Sequence, residues 1–177
     1  MEQKDFWRVG RGETQATRKQ NERDLYIMSA LEQEKSVVTN LIDVCKDGRD
    51  FYRNASENIE GKELETIFVD SANTREAIIV GLEEYMKDQG ESVEADGTVK
   101  GKAASIYGQL AAKITPDTEK TLVTQLEEAE DRSLETFKEA TTRNITPELK
   151  AKIENYANDM QQTHDRMKAI KDTLKAA

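Results

Sequence analysis

The sequence predicts an all-α protein, an antiparallel four-helix bundle with one long crossover and a short extra helix. Three observations carry that expectation. Apolar residues recur at steps of three and four along four long stretches, the spacing that gathers side chains on one helix face. The only two prolines, Pro116 and Pro147, each follow a threonine, the pattern of a capped helix start. Alternating runs of β-branched residues, the mark of strands, are absent.

Residues 1–27 read as a flexible N-terminal arm, polar and mixed in charge, with Gly10 and Gly12 and the apolar residues Phe6, Trp7, Leu25 and Tyr26. The bundle is expected over 28–177. Its first helix begins near Ser29 and runs to about residue 58, with the stripe Val38, Leu41, Ile42, Cys45, Tyr52, Ala55, Ile59. Gly61 makes the turn. The second helix covers 62 to 89 and stops at Gly90, with the stripe Leu64, Ile67, Phe68, Ser71, Thr74, Arg75, Ile78, Leu82, Tyr85. A glycine-punctuated loop and a short helix over 103–114 follow, bearing Ile106, Tyr107 and Leu110. The third helix runs from Pro116 to about 142, with Val123, Leu126, Glu130, Ser133, Phe137 and Ala140 inward. The fourth runs from Pro147 to about 174, with Leu149, Ile153, Tyr156, Met160, His164 and Met167 inward.

Short connections make helices one and two, and three and four, antiparallel hairpins. The link between the hairpins, 90–115, is long. A helix of about 28 residues is roughly 42 Å long, and such a link can travel that length. The second and third helices then run parallel, the one-crossover plan of ferritin-like bundles. The hairpins also form a loose internal repeat, with Leu41 to Tyr52 and Glu63-Leu64 resembling Leu122 to Phe137 and Glu148-Leu149.

Composition narrows the function. In 177 residues, 34% are charged and the net charge is −9, so nothing neutralises the phosphates of a nucleic acid or an anionic membrane. No run of about 18 apolar residues exists to span a bilayer. The N-terminus lacks a signal-peptide core, so a cytoplasmic setting is expected. The single Cys45 excludes an internal disulfide and a cysteine-based zinc site, and reads as a small core residue. No glycine-rich phosphate loop follows a strand. Ser/His/Asp catalysis would have to use His164, and the adjacent Asp165 is expected on a different helix face.

Glu130 and His164, the only histidine, stand on inward stripes where apolar residues belong. A buried charge must be paired, ligated or neutralised. Arg49 and Arg75 lie on the facing stripes at about the same level. An inward arginine offers Glu130 a bidentate partner and lowers metal affinity. One reading is therefore a buried polar network of Arg49, Thr74, Arg75, Glu130 and His164. The other is a single iron or manganese ion held by Glu130, His164, Glu127 and Asp50.

The ordered motifs Leu41-Ile-Asp-Val-Cys-Lys-Asp-Gly-Arg-Asp-Phe-Tyr52, Lys62-Glu-Leu, Glu127-Glu-Ala-Glu-Asp131, Phe137, Pro147-Glu-Leu and His164-Asp-Arg-Met-Lys168 resemble a family of small bacterial ferritin-like bundles. This is the PA2169 family, carrying the domain of unknown function DUF2383, and the resemblance runs from about 28 to 171. It implies a ferritin-like fold and no assigned activity. Glu130 and His164 match positions that the family pattern fills with Glu and His. Thr74 stands where family members carry an inward glutamate, and Glu76, roughly 200° around the helix, is no substitute. A di-metal centre needs about four carboxylates and two histidines. This chain has one histidine and no Glu-x-x-His, since Gln161 precedes His164 by three. These departures favour the network over the metal. The function expected is that of a non-enzymatic bundle, structural or stress-associated, which acts by association and is able to form a homodimer. The alternative is a metal-binding protein with a degenerate site.

Overall fold

The computed structural model describes residues 14–59, 61–93 and 119–176, apart from the side chains of 119–122, 125 and 174–176. They form four helices: α1 (Gln15–Glu57), α2 (Lys62–Asp88), α3 (Glu119–Thr141) and α4 (Pro147–Ala176). No strand occurs among the described residues. The short helix expected over 103–114, the start at Pro116 and the part of the arm with Phe6 and Trp7 lie outside them.

Local chemistry sets the helix ends. Leu149 N–H donates to the Thr146 hydroxyl at 3.3 Å, so Thr146 caps α4 and Pro147 takes the first helical position. At the end of α2, Gly90 adopts a φ of 77°, which favours a residue without Cβ. Gly90 N–H donates to Lys87 O and Glu91 N–H to Met86 O, both at 2.9 Å. These two bonds make a Schellman end and satisfy carbonyls that the helix leaves open.

The start of α1 differs from the expectation at Ser29. The helix begins at Gln15, with the Thr14 hydroxyl accepting from Thr17 N–H at 3.2 Å. Residues 15–27, read from the sequence as arm, are helical. They are also exposed, including Leu25, Tyr26 and Ile27, as is Met28 beyond them. A helix with water on every side has no buried stripe, so periodicity did not reveal it.

The four helices close into a ring in which α1 packs on α2 and α3, and α4 packs on α2 and α3. Tyr85, near the end of α2, meets Thr146 at the start of α4, and Asp70 near the start of α2 meets Arg166 far along α4. So α4 runs antiparallel to α2. The short 142–146 turn makes α3 antiparallel to α4, and α2 and α3 are therefore parallel. Gly81 allows α4 to approach α2, since a Cβ there would lie 2.0 Å from the Tyr156 hydroxyl.

The inward stripes supply two apolar clusters. One gathers Val38, Leu41, Ile42, Ile78, Leu82, Phe137, Leu149, Ile153 and Met160 near the 142–146 turn. The other gathers Phe51, Ala55, Leu64, Phe68, Val123, Leu126 and Met167 near the α1–α2 turn. Burying side chains of this size is worth about 1.5–3 kcal/mol each and is the main force holding the bundle. No helix among the described residues is long and apolar enough to cross a membrane.

A candidate site in the bundle core

Between the two apolar clusters lies a charged layer. Arg75 of α2 is fully buried and Glu130 of α3 is 1% exposed. Their side chains form an ion pair, Arg75 Nη2 donating to Glu130 Oε1. The Tyr52 hydroxyl of α1 donates to the same oxygen at 2.6 Å. The Arg75 guanidinium also stands 4.8 Å over the Tyr52 ring centroid, where the negative ring face attracts a cation. Arg75 Nη1 donates to Ser71 O at 3.1 Å, which ties the guanidinium to its own helix. Three helices thus meet at one carboxylate. Neighbouring hydroxyls close on backbone, Ser133 on Ala129 O and Thr163 on Met160 O.

His164 is buried but turned towards the rim. Its Nε2 lies 3.2 Å from Asp131 Oδ1 on α3, and its Nδ1 lies 3.1 Å from Asp165 Oδ1 and from Gln161 Nε2. Asp165 therefore reaches the same edge as the imidazole, contrary to the expectation of different faces. The ring sits at the margin of the α3–α4 seam, where both side chains can turn to the solvent rim. Gln161 and His164 together hold the exposed Asp165 carboxyl below its ordinary range.

The other candidates have separate partners. Arg49 does not join Glu130. It is bound to Asp50 at 2.8 Å and to Glu76 of α2 at 3.1 Å, on the outer side of the α1–α2 seam. Gly48 takes the buried position beside it, and one residue, or 100°, further round puts the Arg49 side chain at the edge. Hydrogen bonds to Asp50 and then Glu76 hold Arg49 still more firmly in its charged form. Thr74 is only partly buried. Asp50 is exposed. Glu127 pairs with Lys171 of α4. The four side chains considered as metal ligands are thus engaged at different places. Among the described residues no group of three or more His, Cys, Asp or Glu side chains is arranged to hold a metal ion. Cys45, in the same layer, is fully buried, and its thiol is pushed up to about 12 by that burial despite nearby Arg75. It stays protonated and is no nucleophile.

Two parts of the site are not legible in the sequence. Periodicity places Tyr52 in the core, but its hydroxyl also donates to Glu130. Glu34 carries no signal beyond its place one turn before Val38 on the α1 stripe. It is 4% exposed. Its carboxylate accepts from Thr146 N–H at 2.5 Å and from the Tyr85 hydroxyl at 2.9 Å, joining α1, α2 and the turn into α4.

These features define a helical bundle with a salt bridge sealed at mid-height. The chain belongs to the family described as domain of unknown function DUF2383, whose profile matches residues 33–143. The match contains Tyr52, Arg75 and Glu130 and ends before α4 and His164. No curated protein matches the chain.

Proposed function

We propose that this protein is a non-enzymatic, ferritin-like bundle of structural or stress-associated role, whose polar layer holds helix register. The observation that carries the reading is the state of Glu130, whose Oε1 takes both the Arg75 guanidinium and the Tyr52 hydroxyl. A positive charge beside that carboxylate opposes a cation at the same place. The parallel run of α2 and α3 supports the ferritin-like plan. Buried ion pairs add little net stability but can restrict how helices align. A cytoplasmic setting belongs to the same proposal.

The test is elemental analysis of protein purified without chelator, before and after anaerobic loading with iron(II) or manganese(II). The expected result is less than a tenth of an equivalent of metal, with His164→Ala indistinguishable from the parent. Stoichiometric metal that His164→Ala or Glu130→Gln abolishes would overturn the reading in favour of a degenerate metal site.

A further inference from the structure

At its N-terminal end α1 outruns the bundle. Glu34 already faces the end of α2 through Tyr85 and the α3–α4 turn through Thr146. The stretch from Gln15 to Gln33, about 28 Å of helix, projects past both. Every residue from Gln15 to Ser29 is exposed. A helix without tertiary packing is marginal in water. Its tip is further disfavoured, since the first turn holds no acidic residue and Arg18 and Lys19 stand against the helix dipole. The apolar side chains there do not form one stripe. Ile27 continues the inward stripe of Leu31, Glu34 and Val38, and Tyr26 stands apart. Leu25, 68% exposed, and Met28, 63% exposed, share a separate face with Arg18, Asn21 and Glu32, at steps of three and four. That face runs on along α1 into an open groove lined by Glu32, Lys35, Ser36, Thr39, Asn40 and Asp43. Lys35 is bound to Glu91 at 2.7 Å, and Glu32 stands exposed at the near end of the groove.

We infer that this face of α1 is an interface between two copies of the chain, paired antiparallel about a two-fold axis near Leu25. Charge selects the orientation. Residues 15–21 carry Arg18 and Lys19 and no acid, whereas 22–32 carry Glu22, Asp24 and Glu32 against Arg23 alone. An antiparallel pair lays the basic tip of each helix on the acidic root of the other. A parallel pair sets Arg18 beside Arg18 and Glu32 beside Glu32, which opposes association. With the axis near Leu25, that side chain packs on the partner's Leu25, and Arg18 reaches the partner's Glu32. The tip before Arg18 then meets the near end of the partner's groove. The partner's Glu32 supplies the negative charge that the first turn of α1 lacks. Within its own helix Arg18 has Glu22 at 3.3 Å, an exposed pair of the kind that contributes little. A seam of about four helical turns is smaller than the about 800 Å² per partner of a stable interface, so the dimer forms and parts with concentration. The pairing leaves the charged core layer untouched and holds whether or not Glu130 takes a metal.

Sedimentation equilibrium of the full chain over a hundredfold range of concentration, at low and high salt, reads the association. The expected result is a monomer–dimer equilibrium that salt weakens. Leu25→Ser/Met28→Ser, checked for unchanged helix content, weakens it several-fold. Arg18→Glu/Lys19→Glu does the same, and adding Glu32→Lys to that pair restores it. Disulfide trapping reads the orientation, since Cys45 is buried and does not compete. Leu25→Cys is expected to link two copies on mild oxidation. Thr17→Cys, which the axis sets about 24 Å from its own copy, is not. A monomer at every concentration overturns the inference. A dimer that survives either the serine pair or the charge reversal places the interface elsewhere and overturns it too. Thr17→Cys linking as readily as Leu25→Cys shows a parallel pair and overturns it likewise.

Discussion

Arg75 is a residue whose worth depends on its partner being present. Removing it as Arg75→Leu leaves Glu130 charged in an apolar interior, and breaking a buried pair from one side costs about 3–5 kcal/mol. Replacing both, as Arg75→Leu/Glu130→Leu, removes the charge as well as the bond and is expected to recover most of that loss. Urea denaturation of the two single variants, the double variant and the parent checks this, and a double variant as unstable as the sum of the singles would contradict it. Asp47 makes a different single-residue case. Burial, and then Asp43 and Asp50, push its carboxyl from 3.8 up to about 6. The folded state holds the proton more tightly than the unfolded chain, so stability falls as pH rises from about 4 through about 6 and stays reduced above that. Asp47→Asn is therefore expected to stabilise at pH 7 and to lose its advantage towards pH 4. Because the side chain is partly exposed, solvent screening limits the gain to about 1 kcal/mol, or about 2–4 °C in Tm. Thermal melts of both proteins across that pH range decide it.

At the scale of elements, the bundle end near Glu34 is fastened by one carboxylate that takes two donors from two other parts of the chain. Glu34 accepts from the backbone N–H just before α4 and from the Tyr85 hydroxyl near the end of α2. Thr146 in turn lies 3.0 Å from the Tyr85 hydroxyl. Glu34→Ala is expected to cost about 2–3 kcal/mol, since hydrogen bonds to a charged group are worth about 1.5–3 and the Thr146 N–H loses its acceptor, while the Tyr85 hydroxyl keeps only the Thr146 hydroxyl. The loss should be local as well as global. Hydrogen exchange should quicken first at 142–150 and at the end of α2, and uniform acceleration through all four helices would contradict that placement. The same elements show what a sequence makes legible. Thr146-Pro147 and Gly90 are local signals whose effect is complete within a few residues, and both ends fall where those signals put them. The exposed start of α1 is not legible in the same way, because helical periodicity appears only where one face meets a core.

For the whole molecule, the four stripes contain the architecture: Val38 to Ala55, Leu64 to Tyr85, Val123 to Ala140 and Leu149 to Met167 supply the two apolar clusters. What the stripes do not contain is the choice of partner within the charged layer. Arg49 and Arg75 both stand near the facing stripe, and a rotation of 100° decides that Arg75 meets Glu130 while Arg49 meets Glu76. Long side chains resolve such choices only in three dimensions, and the Tyr52 hydroxyl is hidden by a ring that already explains its position. The geometry of that layer also ties the two hairpins to one register. Each hairpin closes over a short turn, whereas Arg75 and Tyr52 meet Glu130 across sequence separations of 55 and 78 residues. Loop closure of that size is costly and slow relative to local helix pairing. The carboxylate is sheltered from water only where the two hairpins pack together, and packing one turn out of step would strand it dry beside leucine and phenylalanine. Alignment of the two hairpins and pairing of that carboxylate are therefore a single requirement of the native state.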